Sequence, residues 1–188
     1  THVLKDWNDW VTDDKNSYER VARSQQYTAP STLVKLALPY LQEGDIMDMG
    51  CGSGAVGAHL MEHGFIVDGV DLSEQMLEKA KQRNYRKTYC ATAKMEELEE
   101  LIPGRYHNIV SCGTYGDYIE PNWITIPMNL AAGPTTLAIA GNLEALEDNL
   151  MNTLLTHSFI PVVEDIRLGH KDEKGRDVNY LYVVATRT

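Results

Sequence analysis

Asp45-Ile46-Met47-Asp48-Met49-Gly50-Cys51-Gly52-Ser53-Gly54-Ala55-Val56-Gly57 is the stretch that decides the fold. Ile46 to Met49 is a short apolar run broken by one acid, the pattern of a parallel strand buried on both faces. Gly50, Gly52 and Gly54 follow at alternate positions, and beyond them Val56, Leu60 and Met61 recur at helical spacing. The glycines therefore fall on a strand-to-helix turn. Residues without Cβ let the backbone bend sharply there and let a ligand reach the main chain. The helix N-terminus behind the turn adds unpaired N–H groups and a positive dipole end. A nucleotide-containing ligand is expected at this turn.

Two patterns compete for it. Gly52-Ser53-Gly54-Ala55-Val56-Gly57 satisfies the dinucleotide fingerprint G-x-G-x-x-G, and Asp71 stands 21 positions after Gly50 (71 − 50), where a ribose-binding acid belongs. The same residues satisfy acid-x-Gly-x-Gly-x-Gly, as Asp48-x-Gly50-x-Gly52-x-Gly54. Asp48 separates the two, because a carboxylate beside the turn suits a cationic ligand and repels a pyrophosphate. The second pattern resembles the first motif of the class I S-adenosylmethionine-dependent methyltransferases. Val70-Asp71-Leu72-Ser73 with Met76-Leu77 resembles the second motif of the same family.

The resemblance implies S-adenosyl-L-methionine as cofactor, held at Asp48, Gly50, Cys51, Gly52 and Gly54 and at Asp71, whose carboxylate would accept from the ribose diol. It places Leu72 and Met76 against the adenine, although Met76 is equally suited to a plain core role. It also implicates Ala93, Lys94 and Met95 after the third strand, and Ser111, Cys112 and Gly113 after the fourth. Lys94 departs from the family, which has an aspartate there to accept from the adenine amino group. A lysine has no acceptor. Either backbone and apolar groups hold the adenine, or Lys94 points outward.

The totals narrow the class. The chain has 188 residues, enough for one domain with a substantial core and too few for separate cofactor and catalytic domains. Its formal charge of −10 argues against gripping nucleic acid or an anionic membrane surface. Cys51, Cys90 and Cys112 form no C-x-x-C pair, which fits reduced thiols. No apolar run approaches membrane-spanning length, and Thr1 to Asp6 lacks the form of a signal peptide, so a cytoplasmic location is expected. His59 and His63 stand four apart on the helix after the turn, but with no third ligand in sight no metal is expected.

Along the chain, Trp7, Trp10, Tyr18 and Tyr27 mark an aromatic leader, and Pro30-Ser31 opens an amphipathic helix with Leu33, Leu36, Ala37 and Leu41 inward. Further strands are expected at Phe65–Val70, Thr88–Ala91, Asn108–Cys112 and Thr136–Ala140, the last following a turn at Gly133-Pro134. A helix should run through Leu143, Leu146 and Leu150. Ile160–Leu168 and Val178–Val184, joined by the polar turn 171–176, read as an antiparallel hairpin. The leader and glycine turn resemble small methyltransferases of the Williams–Beuren-region type. That resemblance implies one α/β domain over 1–188: a helical lid at 1–30 and a core at 31–188. Its Rossmann-like sheet has seven strands in the order 3-2-1-4-5-7-6 and ends in the hairpin.

In open α/β sheets ligands lie beyond the carboxyl ends of the strands. The loop after Cys112 should thus face the transferred methyl. Tyr115 and Asp117 are the candidate catalytic residues, Asp117 as a local base. Tyr18, Tyr27 and Tyr118 are candidates for the lid and substrate pocket. The expected reaction is in-line methyl transfer to a small molecule, with oligomeric state and acceptor left open. The rivals are a homologue that binds the cofactor without methylating, as an isomerase, cyclase or regulator, and a small NAD(P)-dependent oxidoreductase.

Overall fold

Ile46–Met49 forms strand β1 with every residue buried, as an apolar run must be when helices cover both faces of a sheet. The computed structural model describes residues 22, 24–91, 95–102, 104–114, 125–146, 150–172 and 174–188. Trp7, Trp10 and Tyr18, and with them most of the expected lid, lie outside the described residues.

Pro30, preset for a first helical turn, opens helix α1, Ala29–Ala37, which buries Ala29, Pro30, Leu33, Val34 and Ala37. Leu36 and Leu41 are only partly buried against the same cluster, and Leu41 lies past the helix end. After β1 come α2 (Ala55–Glu62), β2 (Val67–Asp71), α3 (Glu74–Gln82), β3 (Lys87–Cys90), α4 (Met95–Leu101) and β4 (Tyr106–Cys112). Then follow α5 (Thr125–Asn129), β5 (Ala131–Asn142), α6 (Leu143–Leu146), α7 (Leu150–Thr156), β6 (Ile160–Lys171) and β7 (Asp177–Arg187).

The seven strands make one sheet in the order β3-β2-β1-β4-β5-β7-β6, as expected. β1 to β5 run parallel, and β7 enters antiparallel between β5 and β6. A doubly wound dinucleotide sheet carries its last strand parallel, so the reversed β7 separates this chain from that architecture. Two apolar clusters form around the sheet, one built on Met47, Met49 and Phe159 and the other on Ile46, Leu33 and Tyr182. Met47 and Met49 point one way from β1 and Ile46 the other, so Asp48 shares the side with α1 and α2.

Several boundaries differ from the sequence expectation. β5 starts at Ala131 rather than Thr136, and Gly133-Pro134 lies inside it. The register shift between Tyr106 and Asn108 in the facing strand accommodates this irregular start, where Pro134 has no N–H to give. β2 starts at Val67 rather than Phe65; Ile66, expected in the strand, is half exposed, although its carbonyl still accepts from the Ile46 amide at 2.9 Å. The helix expected through Leu143, Leu146 and Leu150 is two helices, α6 and α7. The hairpin strands run further than expected, and Asp172 closes their turn by accepting from the Lys174 and Arg176 amides, both at 2.8 Å.

β6 is an edge strand on which Ile160, Val162 and Ile166 are exposed, with Pro161 and Glu164 set among them. At the amino ends of the strands, Arg86 bridges Asp45 at 2.6 Å and the buried Asp68 at 2.5 Å, and the Tyr106 hydroxyl donates to Asp68 at 2.8 Å. This network ties β2, β3 and β4 together at the end opposite the glycine turn. Among the described residues no helix is long and apolar enough to cross a membrane.

Candidate functional site

The turn after β1 is left-handed at each of its glycines, with φ of +69° at Gly50, +52° at Gly52 and +89° at Gly54. A Cβ is strained in that region, so the sequence folds this way only because the three side chains are missing. Val70, at the end of β2, accepts from the Gly50 and Cys51 amides at 2.8 and 3.0 Å, which bends the turn over the adjacent strand. From β4, the Ser111 and Thr114 hydroxyls both donate to the Met49 carbonyl, at 2.8 and 3.1 Å. The turn is thus held from both neighbouring strands.

Asp71 closes the second side. One carboxylate oxygen accepts from the Gly52 amide at 2.8 Å and the other from the Ser73 amide at 2.9 Å. Burial raises its pKa, and the amide hydrogen bonds oppose the rise. Each oxygen keeps a second lone pair, so Asp71 can still accept from a ligand diol. Ser73 caps α3, its hydroxyl accepting from the Met76 amide at 3.4 Å. Ser73→Ala is expected to cost about 0.5–1 kcal/mol in urea unfolding, the range for a long cap bond.

Asp48 lies beneath the turn, 1% exposed. The Tyr85 hydroxyl donates to its Oδ2 at 2.6 Å, and Oδ1 has no hydrogen-bond partner among the described residues. Burial pushes the Asp48 pKa up to about 7; the Tyr85 hydrogen bond pulls it down, and the Asp71 charge adds to the rise. The same Tyr85 oxygen accepts from the Gly57 amide at 3.0 Å. Gly57 is in the first turn of α2, whose amide groups have no intrahelical acceptor, and the N-cap Gly54 has no side chain to offer one. The tyrosine supplies that acceptor from outside the helix.

At the carboxyl end of β4, the Cys112 thiol meets the Tyr27 hydroxyl at 3.6 Å, and burial pushes that thiol up to about 12. A Cβ on Gly113, where φ is +72°, would come 2.5 Å from the Tyr27 hydroxyl. Tyr27, Tyr180 and His170 form an edge-to-face cluster with ring centroids 5.7–6.2 Å apart. Buried His170 Nδ1 has no hydrogen-bond partner among the described residues, and burial lowers the ring's pKa.

The structure brings Asp48, Gly50, Cys51, Gly52, Gly54 and Asp71 together at one turn, with Ser111, Cys112 and Gly113 beside it and Tyr27 over the last of them. The Ser111 side chain is fully buried and engaged with Met49, and Met76 is 2% exposed in the α3 core face, while Leu72 is partly exposed. Ala93, Lys94, Tyr115, Asp117 and Tyr118 lie outside the described residues, and Met95 is described only as the first residue of α4. His59 pairs with Glu62 at 3.5 Å and His63 is exposed; among the described residues no group of three or more metal-ligating side chains occurs.

Sequence reasoning missed Tyr85, Thr114, Tyr180 and His170. Tyr85 sits in a polar connection, Arg83-Asn84-Tyr85-Arg86, where an isolated aromatic gives no periodic signal. Gly57 and Gly69, glycines in buried regular elements, were the available clue that something bulky lay against them.

Residues 46–126 match the family model described as a methyltransferase domain. YqeM of Bacillus subtilis (strain 168), provisionally named a methyltransferase, is 36% identical over 105 residues, which is 55% of this chain and 41% of that protein. The ubiquinone biosynthesis O-methyltransferase of Coxiella burnetii (strain Dugway 5J108-111) is 31% identical over 68 residues, 36% of this chain and 29% of the relative. The matched stretches thus span less than half the length of these curated relatives. Magnesium protoporphyrin IX methyltransferase from Synechocystis PCC 6803, solved with SAH bound, superposes with a TM-score of 0.64 at 17% identity, over 100% of this chain and 95% of that one. At that identity the likeness is one of fold. It is the Rossmann-like seven-stranded fold, closed by a hairpin, expected from the sequence.

Proposed function

We propose, from the match of residues 46–126 to a methyltransferase domain, that the chain is a class I methyltransferase that binds S-adenosyl-L-methionine and passes its methyl group to a small molecule. One observation carries this reading: two acids bracket the left-handed glycine turn, Asp48 buried beneath it and Asp71 gripping its Gly52 amide. Asp48 Oδ1, without a hydrogen-bond partner among the described residues, suits a positively charged ligand group. A pyrophosphate would bring further negative charge to the same place.

When bound, the cofactor supplies a methyl group on a sulfonium whose leaving group is a neutral thioether. The chain's task is then to align the acceptor and exclude water, for which positioning contributes up to ~7–11 kcal/mol. Asp71 would hold the ribose, the main chain of Gly50 to Gly54 would lie along the cofactor, and Asp48 would complement its positive methionyl end. Leu72, partly exposed, would flank the adenine, with the buried Met76 packed behind that face. Cys112 and Gly113 would face the methionyl part, and the Tyr27–Tyr180–His170 cluster would stand on the acceptor side. Asp117, with Tyr115 and Tyr118, is the proposed substrate-contacting set from the loop after β4. The formal charge of −10 supports a small acceptor over a nucleic acid.

Isothermal titration with S-adenosylmethionine and with NADH tests the reading, the expected result being saturable binding of the first alone. Asp71→Ala should weaken that binding by about 1–3 kcal/mol, the cost of leaving hydroxyls without a charged partner. An unchanged affinity would remove Asp71 from the site.

A further inference from the structure

We propose that Tyr85 is a positioning residue for the cofactor site: its hydroxyl joins Asp48 to the first turn of α2, favouring the acid's charged form and leaving its second oxygen for the ligand cation. The proposal rests on the cofactor assignment above and deepens it.

The geometry is that of a relay with no slack. The hydroxyl oxygen accepts from the Gly57 amide at 3.0 Å and its proton goes to Asp48 Oδ2 at 2.6 Å, so both capacities of the group are used and its orientation is fixed. The ring cannot shift to another rotamer, because it fills spaces left by three glycines. A Cβ would come 2.8 Å from it at Gly54 and at Gly69, and would fall on the hydroxyl itself at Gly57. Tyr85 is 6% exposed, so water does not compete for its proton. With Oδ2 engaged, Oδ1 is the oxygen left without a partner among the described residues.

Among the described residues, the other groups interacting electrostatically with Asp48 are the Asp71 carboxylate at the end of β2, the Cys51 thiol in the turn and the Cys112 thiol at the end of β4. None of these three is a cation; the stem of Arg83 packs against Gly54 nearby. Hydrogen bonding from Tyr85 is thus what favours the charged form against burial. A positively charged cofactor would supply what is missing and should bind with release of the Asp48 proton.

The test is the affinity for S-adenosylmethionine between pH 5.5 and 9 in the wild-type chain, Tyr85→Phe and Asp48→Asn. The wild type should bind more tightly as pH rises, levelling off above the Asp48 midpoint near 7. Tyr85→Phe keeps the ring and loses the hydroxyl, so its midpoint should move up by about one pH unit, with affinity largely recovered at pH 9. Asp48→Asn should abolish this step and leave only the contribution of Asp71. A merely structural role for Tyr85 predicts a uniform loss at every pH with no shift in midpoint, and that result overturns the proposal. A flat wild-type profile overturns it too and needs no variant to fold. Absence of binding at any pH instead sinks the cofactor assignment itself, so the two failures are distinguishable.

Discussion

Asp48→Asn is expected to bind S-adenosylmethionine about a hundredfold more weakly at pH 8, on the order of 3 kcal/mol, while unfolding at a higher temperature than the parent chain. The two effects have one source. The carboxylate is 1% exposed, and one of its oxygens has no hydrogen-bond partner among the described residues. Its pKa of about 7, against the ordinary 3.8, means that the folded chain holds a proton the unfolded chain has already released between those values. Stability from this group is therefore greatest below pH 4 and falls as pH rises through 7. Asparagine removes the charge and can still accept from Tyr85, although its buried NH₂ offsets part of the gain. A net stabilisation on the order of 1–2 kcal/mol at pH 8 follows, shrinking towards zero at pH 4. Calorimetric melting at both pH values checks it, and a lower melting temperature at pH 8 would contradict the account.

Gly57→Ala should destabilise the chain by about 2–3 kcal/mol, the upper end for one extra carbon in a closed core. The added methyl would fall on the Tyr85 hydroxyl and ring. That ring is wedged between α2, α3 and the β2 glycine, so neither partner can give way cheaply. The hydroxyl is the nearest atom, and in a Gly57→Ala background Tyr85→Phe should restore part of the loss. A urea-unfolding cycle over the two single variants and the double is expected to show a favourable coupling of about 1 kcal/mol. Simple additivity would mean that the clash is not with Tyr85.

Much of this was legible in the sequence because it lay in local patterns. An apolar run broken by one acid, three alternating glycines and a helical repeat define β1, the turn and α2 with no long-range information. The acid after β2 follows from its position. Gly57 shows where local reading stops. It completes a dinucleotide fingerprint on paper, yet in the fold it is a glycine because Tyr85, 28 positions later, lies against it. The contact joins two segments that only the βαβ crossover brings together, and no window on the sequence contains both. The same holds for the aromatic cluster, where Tyr27, His170 and Tyr180 meet only once β7 has inserted between β5 and β6. The extra length of β6 escaped for another reason: His170 and Lys171, on an edge strand, extend it without adding to its apolar signal.

The edge strand β6 bears on how the protein behaves in a crowded solution. Three exposed branched aliphatic side chains on an open rim would invite a neighbouring molecule to add its own strand and begin a fibril-like stack. Pro161 withholds a donor from any such newcomer, Glu164 would bring like charges face to face in an in-register stack, and the register shifts at both ends of β6 twist the rim out of plane. Strand β6 can thus keep greasy residues in view without offering a ready template for a stack.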